Sequence, residues 1–209
     1  MRVEQLWRYP VKSLRGERVT SADFAAGGMV DDRRYALIDE EPSSQRRGKV
    51  LSARVLPAML PIPGPGVDFD ALGAKLGRSF SVREATDGSN HDARDVLVTC
   101  LPTLRALSEE YGKEIDMRRF RPNIVLDGAD LEPFAELRWP GSRFIVGSVV
   151  LEAIEPCERC VLPTLDPDTS VAEPALLRFL TERHGQDFGM YCGVITPGAV
   201  TEGDAFRKT

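Results

Sequence analysis

The chain has 209 residues, 42% of them hydrophobic and 28% charged, with a formal net charge of −5. That length suits one large domain or two small ones with a substantial core. The acidic balance argues against nucleic acid as a partner, and the lack of long like-charged blocks argues against disorder.

The chain opens on "MRVEQLWRYP", which has no apolar core of signal-peptide length. Residues Arg2 to Tyr9 alternate with a period of two, Val3, Gln5, Trp7 and Tyr9 against Arg2, Glu4, Leu6 and Arg8, which predicts a strand. Arg18–Phe24 and Arg34–Asp39 predict two more, with turns at Gly16-Glu17 and Gly27-Gly28. Glu40–Lys49 reads as an exposed loop and Leu60–Gly66, "LPIPGPG", as a linker or edge loop. The uncharged run "VLPAMLPIPGPGV" carries four prolines and cannot span a membrane as a helix, so a cytoplasmic location is expected.

Beyond it, Leu97–Cys100 reads as a buried strand. Leu101, Leu104, Leu107 and Tyr111 then fall at helical spacing before a stop at Gly112. "NIVLD", "FIVG" and "VVLEAI" are further strands. Glu173–Gly185 is an amphipathic helix with proline near its start and glycine at its end. The final stretch, Phe188 to Phe206, alternates and turns at "PG" and "EGD", which predicts a β-hairpin. Strands exceed helices about two to one, so the fold class is a β-rich α+β barrel with a few peripheral helices.

Basic residues cluster in "DDRRY" (Asp31 to Tyr35) and "MRRFRPN" (Met117 to Asn123). Such clusters suit a small anionic ligand, or simply a solvated surface. The four cysteines, Cys100, Cys157, Cys160 and Cys192, are expected as thiols in a reducing compartment. The pair in "PCERC" has three plain readings. Structural zinc needs four ligands, and Cys100, Cys192, His91 and His184 are not paired at finger spacing. A redox pair should open a helix, yet "VLPTLDPD" follows. Two buried thiols without chemistry is the third.

"PCERCVLPTLDPDTS" resembles the signature of the MOSC family, the domain named for the C-terminal part of molybdenum-cofactor sulfurase. "YPVKSLRG" (Tyr9 to Gly16), "GGMVDDRRYALID" (Gly27 to Asp39) and "SARVLPAML" (Ser52 to Leu60) resemble the N-terminal β-barrel domain that precedes many MOSC domains. "RRFRPNIVLDG", Glu136–Trp139 and "FGMYCGVITPGAVTEGD" follow in the order such proteins show. Only Glu40–Lys49 and Pro61–Gly77 go unmatched. The resemblance implies a small N-terminal barrel-like domain over 1–83, a MOSC barrel over 84–209, and a cofactor cleft between them.

It also implies site residues. Cys160 would ligate molybdenum of a pterin cofactor and carry catalysis, because a soft thiolate suits a sulfur-rich metal sphere. Arg159 would set a cation beside that thiolate, and Cys157 would pack nearby. Lys12, Ser13, Arg33, Arg121 and Asn123 match cofactor contacts, as do Asp92, Thr99 and Tyr191; cationic and hydroxyl donors suit a pterin phosphate. Ser170 stands where the family usually has glycine. Asp166 and Asp168 read as turn formers, His184 as a helix cap, and Cys100 and Cys192 as packing residues.

The activity implied is reduction of N-hydroxylated compounds, amidoximes or hydroxylamines, with electrons from a separate ferredoxin- or cytochrome-type donor, since no iron–sulfur cysteine set or flavin motif occurs here. The alternative is a sulfur carrier holding a persulfide on Cys160. No nucleic-acid partner and no membrane span are expected.

Overall fold

A computed structural model describes residues Met1–Thr209. In chain order the strands are β1 (Arg2–Arg8), β2 (Glu17–Val19), β3 (Ser21–Ala25), β4 (Gly28–Met29), β5 (Tyr35–Asp39), β6 (Phe80–Glu84), β7 (Val96–Cys100), β8 (Ile124–Asp127), β9 (Arg143–Val146), β10 (Val149–Glu158), β11 (Asp187–Thr196), β12 (Gly198–Thr201) and β13 (Phe206–Lys208). The helices are α1 (Phe69–Leu76), α2 (Leu101–Tyr111) and α3 (Pro174–His184). No helix is long and apolar enough to cross a membrane.

Eight strands form one sheet in the order β13-β9-β10-β11-β7-β8-β1-β2; only the β7–β8 pair is parallel. The sheet curls until its ends meet. Arg2 bridges Ala205, and Val3 N donates to Asp204 O at 2.9 Å, which joins β1 to the β13 end of the sheet. Curling encloses the largest apolar cluster, with Trp139, Phe144 and Phe206 packed ring on ring. A second cluster gathers Val11, Leu14, Leu37 and Leu51 with Leu72 of α1 and Leu165 from far along the chain. A third packs α2 and α3 against β8 and the stacked rings of Phe120 and Phe188.

The residues on either side of Arg83 share sheets. β1 pairs β8 (Leu6 with Ile124), and β3 pairs β12 (Phe24 with Gly198). The hairpin expected over Phe188–Phe206 does not form. β11 is already paired on both edges, by β10 and β7, so β12 goes to β3 and β13 to β9. Arg18–Phe24 is likewise two strands, broken at Thr20. Helix α1 lies in the stretch Pro61–Gly77 that matched no family motif; its signals are Asp68, whose carboxylate accepts from the N–H groups of Asp70 and Ala71, and left-handed Gly77 at its end.

Gly28 shows how tightly the strands are tied. Its φ is +105°, and a Cβ there would lie 2.5 Å from Asp95 O. Gly48 is also left-handed, at φ +77°, but its Cβ would meet nothing within 4 Å. Gly28→Ala adds a backbone clash to the strain and should cost more than about 2 kcal/mol, whereas Gly48→Ala should cost only about 1 kcal/mol. Thermal unfolding of the two variants checks the order; equal midpoints would contradict the packing at Asp95.

Candidate functional site

A cleft of about 420 Å³ opens beside Phe120 of the third cluster and Leu162, which packs on the second. Segments far apart in sequence build it. The chain at 9–12 runs beside 33–35: Arg33 N donates to Tyr9 O and Lys12 N to Tyr35 O, both at 2.8 Å. That pairing sets Lys12 and Arg33 on one wall. Arg121 caps the short 3-10 turn Met117–Phe120, and β10 ends at Glu158 just before Arg159 and Cys160.

Three of the lining residues, Ser13, Arg33 and Arg121, have left-handed backbones, at φ 70°, 48° and 55°. For non-glycine residues this conformation stores strain and is tolerated where the surroundings over-determine it. Ser170 keeps the left-handed turn that glycine would favour, at φ 63°, and its hydroxyl donates to Pro57 O at 2.7 Å.

Charge is the cleft's main property. Lys12, Arg33, Arg54, Arg94, Arg121 and Arg159 line it, against three carboxylates, Asp92, Glu155 and Glu158. The carboxylates are partly committed: Asp92 sits 2.7 Å from Lys12 Nζ and 2.8 Å from Arg54, and Glu155 pairs with Arg94 at 2.9 Å. Burial lowers the Lys12 pKa, and Asp92 opposes that shift. Burial pushes the Asp92 carboxyl up, but Lys12 and Arg54 outweigh it and the net shift is down. Arg121 is pulled down to about 10, first by burial and then by the charge of Arg33. Both guanidiniums lie against the Tyr9 ring, 4.1 Å (Arg121) and 4.6 Å (Arg33) from its centroid. Buried Asp32 pairs with Arg33 and accepts from Tyr9 N, so it neutralises only one of the two. His91, also in the cleft wall, has its pKa lowered by burial first and then by Arg33.

Arg121 Nη1 donates to Leu14 O at 2.8 Å, while its Nη2 is buried without a partner. Arg159 repeats the pattern, with Nε buried and unpartnered. A buried unpaired donor is costly, which makes these positions receptive to an anion or other acceptor.

The two cysteines part company. Cys160 is exposed, its Sγ 3.5 Å from Leu162 N. The turn after it is held by Arg119, which reaches Pro163 O and Thr164 O at 3.2 Å. Cys157 is buried, and its Sγ accepts from Arg159 Nη1 at 2.7 Å. Arg159, expected beside the Cys160 thiolate, lines the cleft with Cys160 but spends its Nη1 on the other cysteine, Cys157. Arg159 and Cys160 both lie just past Glu158, the last residue of β10, and the Arg159 guanidinium reaches back to the residue two before it. Arg159 Nη2 also donates to Phe120 O at 2.9 Å, and Gln186 fixes its backbone from both sides. Tyr191 stands beside Cys157, and burial followed by the charge of that thiol raises its pKa. No group of three or more His, Cys, Asp or Glu side chains is gathered as metal ligands would be.

Lys12, Ser13, Arg33, Asp92, Arg121, Asn123, Arg159, Cys160 and Tyr191 all line the cleft. Thr99 does not. It is fully buried in β7, with its hydroxyl donating to Met117 Sδ at 3.3 Å. Asn123 lines the cleft with its amide already engaged: Oδ1 accepts from Leu97 N, and Nδ2 donates to Trp7 O. Arg54, His91 and Arg94 join the site without having been singled out. Arg54 lies in "SARVLPAML", a motif already noted, and His91 and Arg94 lie within two residues of Asp92, already named as a cofactor contact.

The MOSC domain model matches residues 85–207, and the MOSC N-terminal beta barrel domain model matches 1–65. The chain belongs to the MOSC family. It is 26% identical to human mitochondrial amidoxime-reducing component 1 over 97% of this chain and 81% of that one. It is also 26% identical to human mitochondrial amidoxime reducing component 2, over 82% and 68% of the two chains. Among solved structures, the YUAD protein of Bacillus subtilis superposes with a TM-score of 0.56 at 18% identity, covering 98% and 93% of the two chains, which shows the shared fold.

Proposed function

We propose that this protein is an oxidoreductase that binds a molybdenum–pterin cofactor and reduces N-hydroxylated compounds such as amidoximes or hydroxylamines. The observation that carries the reading is one exposed thiol, Cys160, at a cleft with a surplus of cations. The names of the relatives, amidoxime-reducing components, agree with it. The site also fits the group. The unpartnered Arg121 and Arg159 donors call for an acceptor, and an exposed thiolate is a suitable soft ligand.

On this reading Cys160 supplies the protein's ligand to the metal. Lys12, Arg33 and Arg121 hold the phosphate end, with Ser13 and Asp92 ordering Lys12 and its turn. Arg159 keeps Cys157 and Phe120 fixed behind the metal-binding turn. The cofactor, when bound, supplies the two-electron chemistry that removes oxygen from nitrogen. Electrons come from a separate donor protein. The division of the chain into residues 1–83 and 84–209 goes with this reading, both parts contributing residues to the cleft.

Protein from a cofactor-competent host should carry about one molybdenum per chain and reduce an amidoxime with an artificial electron donor. Protein free of molybdenum that carries a persulfide on Cys160 would overturn the reading in favour of sulfur transfer.

A further inference from the structure

Behind the Lys12–Asp92–Arg54 contact lies a second groove, of about 610 Å³. It shares Lys12, Arg54, His91 and Asp92 with the cleft and continues onto the loop after β5. Five cations line it: Lys12, Arg46, Lys49, Arg54 and Arg83. Asp92 is the only carboxylate among the lining residues, and it is already divided between Lys12 and Arg54. In a chain of net charge −5, this concentration of positive charge is local.

The groove has a fixed floor. Asn90 is 1% exposed, and each part of it is used. Its backbone carbonyl accepts from Lys12 Nζ at 2.6 Å, its Oδ1 accepts from Arg83 Nε at 2.9 Å, and its Nδ2 donates to Arg34 O at 3.0 Å. One buried residue thus holds Lys12 and Arg83 in set positions. Arg46 and Lys49 are held by a backbone turn, Lys49 N donating to Arg46 O at 2.9 Å. Two positioned cations with two more on a turn facing the same space make a recognition geometry for a multiply charged oxyanion.

We infer that this groove binds a phosphate or pyrophosphate ester, adjacent to the anion held by Arg33 and Arg121 and sharing Lys12 with it. Two sources share that chemistry: a nucleotide extending from the phosphate end of the cofactor, or a free phosphorylated compound that enters alone. The groove itself stands whatever occupies the cleft; only its assignment to a cofactor tail rests on the function proposed above.

Full-length protein made in a host without the pterin cofactor is titrated with inorganic pyrophosphate by calorimetry. Binding is read in the Arg121→Ala background, which disables the cleft's own anion site; there it should weaken at least about tenfold on adding Arg46→Glu/Lys49→Glu, and again on adding Arg83→Gln. Salt should weaken it in wild type. No binding by wild type, or equal binding by the double variant, overturns the inference. Absence of any pyrophosphate binding once Arg121→Ala is made would also overturn it by placing the anion wholly in the cleft. Holoprotein from a cofactor-competent host is then hydrolysed and its nucleotides separated. About one nucleoside monophosphate per molybdenum identifies a cofactor tail; none, with pyrophosphate binding intact, identifies a free phosphorylated ligand. Molybdenum content and amidoxime reduction, read on the same variants, report separately on the proposed function.

Discussion

Cys160→Ser is expected to lose amidoxime reduction by more than about a hundredfold, because a serine hydroxyl is a hard, usually protonated substitute for thiolate. Cys160 is exposed and its Sγ makes one long contact, with Leu162 N, so folding should be untouched. Cys157→Ser is expected to stay within about tenfold of wild type, since its hydroxyl can still accept from Arg159. Its cost should appear as lower stability, through loss of a buried sulfur's packing. Activity with an artificial donor, molybdenum content and thermal midpoint on the same preparations separate the effects. Equal loss in both variants would sink the single-thiolate assignment. Full activity in Cys160→Ser would remove its role as ligand.

Arg121 carries the second large effect. Removing a charged donor to a phosphate should weaken cofactor retention by about ten- to a hundredfold. Stability should move differently. Arg121 is buried, its charge opposed by Arg33, and one of its N–H groups has no partner. A buried charge without full compensation is replaced by an apolar side chain of similar volume at little cost, or with a gain. Arg121→Met is therefore expected to lose the cofactor on dialysis while the cofactor-free chain melts within a few degrees of wild type. Arg121→Lys should rescue poorly, as an ammonium lacks the planar fork that reaches both Leu14 O and a bound anion. Unchanged occupancy in Arg121→Met would remove the residue from the anion site. A collapsed midpoint would make its role structural.

The cleft-lining residues were named through the resemblance to the MOSC family; local sequence alone marked only the basic clusters at Asp31–Tyr35 and Met117–Asn123. Lys12, Arg33 and Arg121 each lie in a short motif carrying that resemblance, "YPVKSLRG", "GGMVDDRRYALID" and "RRFRPNIVLDG". The limits are equally physical. Thr99 occupies a strand buried along its whole length, where nothing local tells a core hydroxyl from a binding one. The direction of Arg159 depends on where β10 ends, and strand ends are weakly encoded. The missing hairpin failed for a different reason: alternation specifies a strand but not its partner, and β11 had both edges taken by strands remote in sequence. Helix α1 was marked by its capping residues, Asp68 and Gly77, just past the proline- and glycine-rich Leu60–Gly66 that drew attention to a loop.

The exchange of strands across Arg83 bears on how the chain reaches this shape. Leu6 finds Ile124, and Phe24 finds Gly198. Such distant pairings carry a large loop-closure cost and make formation of the barrel slow. On the ribosome, β1 and β3 must wait with open edges until β8 and then β12 emerge, a period in which exposed strand edges invite aggregation. The finished molecule should melt as one unit, since neither part can lose its strands without unzipping the other. A fragment holding only 1–83 should accordingly stay unstructured, however complete its motifs are.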